Sequence, residues 1–353
     1  MPFDPALPLE RAHTIPNDWY TDPAIYHREQ DRIFARSWLC VGRSELVRTP
    51  GQFVTETVAR EPLAIVRGED GVLRGFFNVC RHRAAPVLME PTGCATKLRC
   101  QYHGWTYDLA GRLRGTPEFA GVCDFEKADH GLTPLGEIEE WGGFVWVCLE
   151  KPNQSLADYL SPLPSWWAGR DTDLVHHSTV DYDVACNWKV YVDNYLDGGY
   201  HVATIHPALA DVLDNANYIT VADGMTVLQS SPMKPSTGEA GRTRTGTDAA
   251  YWWVFPNVMI NRYSGIMDAN TVYPLGPDRC RVRFDYWFAP GTDPAFCTES
   301  IAVADRVQRE DIAICERVQK NLSSRSYTTG RFSVSRENGG YHFHRLVANC
   351  LRA

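Results

Sequence analysis

Apolar residues fall at helical spacing near the start of the chain and at strand spacing over the next hundred residues. Ile25, Ile33 and Phe34 make one stripe, with Asp22 as a cap and Pro23 in the first turn, so the spacing predicts a helix over 22–38. From about 40 to 150 the runs shorten. Leu63–Val66, Leu73–Val79 and Phe144–Leu149 read as strands, with turns at Gly68–Gly71 and Ala110–Gly111, and together they predict a small β domain. The stretch from Lys151 to Trp167 carries Pro and Ser and reads as a linker. Beyond it the pattern predicts strands over 178–187, 226–230, 251–263, 270–273 and 280–288, and helices over about 188–212 and 299–322. Strands without regular alternation with helices indicate an α+β fold with an antiparallel sheet. No internal repeat or low-complexity segment interrupts the pattern.

Composition narrows the class. A chain of 353 residues with 44% hydrophobic and 22% charged residues suits a globular protein of two domains. No apolar run approaches the ~18 residues that a membrane span needs. The N-terminus shows no basic segment followed by an apolar one, so no signal peptide is expected. Cysteines number eleven, and Cys148, Cys186, Cys280 and Cys315 sit in or beside apolar runs, as free buried thiols do. That usage suits a reducing compartment and points to a cytoplasmic protein. The net charge of −8, without a basic stripe, argues against nucleic acid as a partner.

Two short segments carry metal-ligand chemistry. Cys80-Arg81-His82 is followed, after seventeen residues, by Cys100-Gln101-Tyr102-His103. A Cys2His2 zinc site uses the same ligand types, but zinc motifs usually pair Cys with Cys and His with His. Here each half holds one of each, which fits a [2Fe–2S] cluster in which two histidines replace two cysteines on one iron. Cys80 and Cys100 would then hold the inner iron, and His82 and His103 the outer one. The flanks, Asn78-Val-Cys-Arg-His-Arg83 and Leu98-Arg-Cys-Gln-Tyr-His-Gly-Trp-Thr-Tyr107, resemble the Rieske domain of Rieske-type non-haem iron oxygenases.

A second constellation lies further on. His201 and His206 follow Gly198-Gly199, and Pro207 follows directly. Histidines five apart point about 140° away from each other on an ideal helix, so convergence on one ion needs an irregular turn, which the glycines permit. Asp311 falls in the apolar series Val307, Ile314, Cys315, Val318, Leu322, where a carboxylate is costly unless paired or metal-bound. Two histidines and one carboxylate form the facial triad of non-haem Fe(II) oxygenases. The segments Asp193-Asn-Tyr-Leu-Asp-Gly-Gly-Tyr-His201, Phe255-Pro-Asn-Val-Met-Ile-Asn-Arg-Tyr263, Pro274-Leu-Gly-Pro277 and His342-Phe-His344 are similar to those of the choline monooxygenase subfamily.

The resemblance implies more than the spacing does. It implies a mononuclear Fe(II) on His201, His206 and Asp311 beside the Rieske cluster, with Asn194 and Asp197 as catalytic residues ahead of the first histidine. It divides the chain into an N-terminal helical segment (1–39) packing on the catalytic domain, a Rieske domain (40–155) and a catalytic domain (156–353) with a curved antiparallel sheet around a long helix. It implies electrons from a ferredoxin or flavin reductase, O2 as oxidant and a homotrimeric ring, in which an acid bridges the histidines of two centres in neighbouring subunits. Many members carry that acid three residues before the first histidine ligand. Here that position is Gly198, and Asp197, four before, shares the same helix face; Asp193 is the less favoured substitute.

The substrate expected from the resemblance is choline or another quaternary amine, hydroxylated or oxidatively N-demethylated. Tyr251, Trp253 and Phe255 alternate along one strand and, with Tyr263, could face such a cation through their rings. The same rings would suit an arene, as in an aromatic-ring hydroxylating Rieske oxygenase, or simply fill a sheet core. A reading of another class is a Rieske electron carrier fused to a non-catalytic binding domain, with two irons per chain in place of three.

Overall fold

The computed structural model describes residues 3–170 and 173–352. Two compact units emerge, one of Phe34–Leu156 and one that joins Met1–Ile33 to Ala157–Ala353.

The Phe34–Leu156 unit is a set of short antiparallel strands. β1 (Leu39–Arg43), β10 (Phe144–Cys148) and β9 (Glu137–Trp141) make one sheet in that order. The run Phe144-Val-Trp-Val-Cys148 is buried at every position, as suits the central strand of three. A second sheet runs β4 (Leu73–Phe77), β3 (Glu61–Arg67), β2 (Gln52–Val58), β5 (Thr92–Cys94). A small third one runs β6 (Leu98–Arg99), β7 (Thr106–Tyr107), β8 (Leu113–Gly115). Phe53, Val66, Phe76, Leu98, Trp105 and Tyr107 form a core that also contains Cys80 and Cys100.

The other unit is built on a seven-stranded antiparallel sheet. Its order is β11 (Val175–Val184), β17 (Arg279–Phe288), β16 (Ile266–Gly276), β15 (Val258–Tyr263), β14 (Asp248–Val254), β13 (Thr226–Pro232), β12 (Ile219–Asp223). The segment 251–263, expected as one strand, is the β14–β15 hairpin, turned through Phe255-Pro256-Asn257. The expected N-terminal helix is shorter than its stripe. After α1 (Asp18–Thr21), α2 (Pro23–Glu29) starts where Asp22 accepts from the Ala24 amide at 2.8 Å, and a wider turn over Gln30–Phe34 ends it. Two short helices, α3 (Leu156–Leu160) and α4 (Leu163–Trp167), occupy the expected linker.

The helix expected over 188–212 is three pieces: α5 (Trp188–Tyr195), α6 (Val202–Ile205) and α7 (Pro207–Val212). Gly198 and Gly199 stand at φ +68° and +69° between the first two, a left-handed conformation that stops the helical ladder. A Cβ on Gly198 would meet the Arg336 carbonyl oxygen at 2.0 Å. After α8 (Glu239–Thr243) comes α9 (Pro294–Leu322), 29 residues long and capped by Asp293. It packs on α5 and on β11. Its buried face is Cys297, Ser300, Val303, Ala304, Gln308, Cys315, Gln319 and Leu322, whereas Val318, expected in the apolar stripe, is exposed. A last helix, α10 (Asn338–Arg352), falls where the pattern of apolar positions predicted no element.

The first residues of the chain are built into this unit. Glu29 and Lys189 form an ion pair of 2.5 Å with neither side chain exposed, and Trp188 Nε1 donates to Glu29 at 2.8 Å. Burial pushes the Glu29 carboxyl up and the Lys189 ammonium down, against the pull of the pair. Tyr20 donates its hydroxyl to Asp193 at 2.6 Å, Asp193 also meets His344 Nε2 at 2.8 Å, and His344 Nδ1 accepts from the Ile15 amide at 3.1 Å.

Candidate metal centres and substrate cavity

Two loops of the same design present Cys80 with His82 and Cys100 with His103. In each, the cysteine amide donates to the carbonyl five residues on, and the amide four residues on donates back to the cysteine carbonyl. The first pair of bonds is Cys80–Ala85 at 2.8 Å and Ala84–Cys80 at 3.0 Å; the second is Cys100–Trp105 at 2.9 Å and Gly104–Cys100 at 3.0 Å. The fourth-position residue takes a positive φ in both, +59° at Ala84 and +73° at Gly104. The loops bring the His82 and His103 rings to 4.5 Å between centroids, and His82 stacks on Trp105 at 4.9 Å. Both cysteines are buried, His82 is half-buried and His103 exposed. The Nδ1 of His82 is buried with no hydrogen-bond partner among the described residues, which a bond to iron would satisfy. Tyr107 adds a contact absent from the expected set: its hydroxyl lies 3.4 Å from Cys80 Sγ and accepts from the Arg81 amide at 3.0 Å. The donor set and this geometry fit a Rieske cluster.

The second centre is assembled by the broken helix and α9. His201, just before α6, and His206, just after it, have rings 5.0 Å apart and steeply tilted. Both turn Nε2 toward Oδ1 of Asp311, at 3.6 Å from His201 and 3.0 Å from His206. One ligand atom from each of the three residues lies within 4.8 Å of the others. Asn194 Nδ2 donates to the same Asp311 oxygen at 2.6 Å. The far nitrogens are anchored too. His201 Nδ1 is held by Asp197, whose Oδ2 also accepts the His201 amide at 3.0 Å, and His206 Nδ1 by Glu310 Oε2 at 2.7 Å. Burial opposes protonation of His206, but Asp311 and Glu310 outweigh it and push its pKa up. A site that stabilises positive charge between two Nε2 atoms and a carboxylate fits a divalent ion, and carboxylates on the Nδ1 side are the usual supports of metal-bound histidine. Asp193 is engaged elsewhere, with Tyr20 and His344.

A cavity of about 130 Å³ opens on this triad. Tyr195, Tyr218, Tyr251 and Tyr263 wall it, together with Leu209, Leu213 and Phe284; Arg244, Asn261, Asp268 and Asn270 are among its polar members. Tyr251 and Tyr263 share a hydroxyl–hydroxyl contact of 2.9 Å. Trp253 and Phe255, expected beside them, do not line the cavity. Trp253 packs on Phe343 at 5.4 Å, and both are fully buried core residues. Alternation put them on the strand face of Tyr251, but that face is covered by α10 at the position of Trp253. Asp268, Arg244 and Glu310 were not among the expected site residues. The signal for Glu310 was its place before Asp311; Asp268 offered only a carboxylate inside an apolar strand run.

Comparison with known proteins finds the families of both domains. The Rieske [2Fe–2S] domain family matches residues 37–126, and the ring hydroxylating alpha subunit (catalytic domain) family matches residues 171–353. The chain is 38% identical to the chloroplastic choline monooxygenase of Arabidopsis thaliana, over 99% of this chain and 86% of that protein. It is 31% identical to the carnitine monooxygenase oxygenase subunit of Escherichia coli K12, over 97% of this chain and 95% of that protein. A quaternary ammonium Rieske monooxygenase solved with L-carnitine superposes with a TM-score of 0.85 at 29% identity, covering 97% of this chain and 96% of the other. The naphthalene 1,2-dioxygenase of a Rhodococcus species, at 20% identity and a TM-score of 0.80, shares the fold. With a Rieske [2Fe–2S] domain in one part and a non-haem iron catalytic domain in the other, the chain belongs to the Rieske-type non-haem iron oxygenases, oxidoreductases that take electrons from a separate donor and use O2.

Proposed function

We propose that this oxygenase is a monooxygenase of small quaternary amines, with choline or a close analogue as substrate. The observation that carries the reading is the tyrosine-walled cavity on the His201, His206, Asp311 triad. Tyrosine faces attract a quaternary ammonium by about 2 kcal/mol when water is excluded. The size agrees: a cavity of about 150 Å³ takes one benzene ring, so about 130 Å³ suits a molecule of choline's size and not a fused polycycle. The named activities of the choline and carnitine monooxygenase relatives support the same class.

The iron, when bound, supplies the activation of O2 and the insertion of one oxygen atom. The chain's own groups do the rest. Asp197 and Glu310 fix the tautomer of His201 and His206 by accepting their Nδ1 protons, so that Nε2 faces the ion. Asn194 orients Asp311 by donating to its Oδ1. The tyrosines hold the cation and keep water from the triad. We assign the electron supply to a ferredoxin or flavin reductase and the assembly to a homotrimer. In it Asp197 would accept from a cluster histidine of a second copy. Of the eleven cysteines, the nine other than Cys80 and Cys100 form no disulfide, which suits a reducing compartment, and we place the enzyme in the cytoplasm. No described helix is long and apolar enough to cross a membrane.

The test is turnover with a generic reductase, following O2 uptake and product, across choline, carnitine, betaines and small arenes. Oxidation of the amines with three irons per chain is expected. Oxidation of arenes alone would make the enzyme a ring hydroxylase. Two irons and no O2 uptake would make it an electron carrier.

A further inference from the structure

Asp268 is a carboxylate buried in the substrate cavity without an ion-pair partner among the described residues. It lies in β16, opposite Asn261 of β15 and Tyr286 of β17, and is only 6% exposed. Its side-chain hydrogen-bond partners are neutral amides: Asn261 Nδ2 donates to Asp268 Oδ2 at 2.7 Å, Asn270 also acts on the carboxyl, and Asn261 in turn accepts from the Tyr195 hydroxyl at 2.8 Å. The nearby cation, Arg244, pulls on the Asp268 carboxyl through space, but its hydrogen bonds go elsewhere. Its Nη1 donates to Ser300 Oγ at 2.8 Å, and its guanidinium sits 5.1 Å over the Tyr263 ring. No ion pair joins it to Asp268 among the described residues. The cavity's other two carboxylates, Asp197 and Asp311, already serve the histidines. Asp268 thus stands at the wall among Tyr195, Tyr251 and Tyr263, with Arg244 acting on it through space and no direct ion pair among the described residues.

A fold seldom buries a carboxylate this way unless something else supplies the positive charge. A quaternary ammonium donates no N–H hydrogen bond, so π faces and a fixed negative charge are its strongest available partners. We infer that Asp268 is the counter-charge that makes the cavity select cationic substrates over neutral ones of the same shape. The inference rests on the quaternary-amine reading and names the residue that enforces it.

The charge state of Asp268 supports the geometry. Burial raises its pKa to about 6, against the opposing pull of Arg244 and of the Asn261 and Asn270 amides. The groups that face it are Arg244, Tyr286 of β17, Tyr263 of β15 and Tyr195 of α5, and none of the tyrosines ionises near neutral pH, burial pushing each upward. A bound cation favours the ionised carboxylate. Affinity for a cation therefore grows as pH rises through about 6, while affinity for a neutral ligand stays flat.

The probes are choline, its neutral carbon isostere 3,3-dimethylbutan-1-ol, and tetramethylammonium, titrated by calorimetry into the holoenzyme and Asp268→Asn. Asparagine keeps an oxygen to accept from Asn261, so a structural role would survive the change. The expected result is a roughly 10- to 100-fold loss of choline and tetramethylammonium affinity. The isostere should bind as before, and the pH dependence near 6 should vanish. Equal binding of choline by both proteins, or equal weakening of choline and isostere, would overturn the inference. If the parent oxidises no quaternary amine, the functional reading falls on its own; tetramethylammonium bound by the parent and not by Asp268→Asn would still uphold the counter-charge, and its failure to bind the parent would remove it.

Discussion

Oδ1 of Asp311 meets the Asn194 amide and the Nε2 atoms of both His201 and His206, so one oxygen organises the whole centre. Asp311→Ala should lose the mononuclear iron and all O2 uptake while the cluster's visible and EPR spectra persist. Metal analysis should fall from three irons per chain to two, and retained activity would remove Asp311 from the ligand set. Asp197 is a different kind of residue, since it supports His201 from behind. Asp197→Asn should keep both metals yet slow oxidation of a pre-reduced cluster in a single turnover with bound substrate, by at least ~10-fold. Equal rates would end its role in electron passage. Residues of this kind differ in how readable they are. Cys80, His82, Cys100 and His103 were legible because their spacing is local and the backbone loops repeat it. Tyr107 and Glu310 were not, because a hydrogen bond to a thiol or an imidazole leaves no period in the sequence. Trp253 misled because alternation reports a strand face and not what covers it.

At the scale of elements, the break between α5 and α6 is what lets two histidines five residues apart face one carboxylate. Gly198→Ala would bring a methyl against the Arg336 carbonyl at 2.0 Å, on a backbone with φ +68°. A loss of roughly 1–3 kcal/mol is expected, read as a lower melting temperature together with weaker iron retention. An unchanged melt with full iron would show that the turn tolerates a side chain. The buried Glu29–Lys189 pair fixes α2 to α5 in another way. Glu29→Gln should cost about 3–5 kcal/mol in denaturant unfolding, since it strands the ammonium, while changing both partners to apolar residues of similar volume should cost much less. Equal losses in the single and double variants would make packing, not charge, the source. The glycines announced the break, so its place was readable. Its left-handed geometry, the wide turn at Gln30–Phe34 and the existence of α10 depend on tertiary contacts, which local periodicity does not encode.

For the whole molecule, the succession of strand and helix patterns along the chain was enough for the α+β class, because that depends on summed pattern and not on any one contact. The proposed ring makes a further prediction. Chains with Cys80→Ala lack a cluster, and chains with Asp311→Ala lack the mononuclear iron, so neither alone should turn over. Mixed by co-expression, they should recover a fraction of parental O2 uptake, because a cluster in one chain can serve the iron of another. No recovery would mean that electrons stay within a chain. Connectivity also has a consequence for biogenesis. The Phe34–Leu156 unit holds all its strand partners within its own stretch, whereas Ile15, Tyr20 and Glu29 wait for Lys189, Asp193 and His344. On the ribosome, which adds roughly 5–20 residues per second, the inserted unit is complete seconds before the body that surrounds it in sequence. The loop residues Cys80, His82, Cys100 and His103 are therefore all in place before His201, His206 and Asp311 have been synthesised.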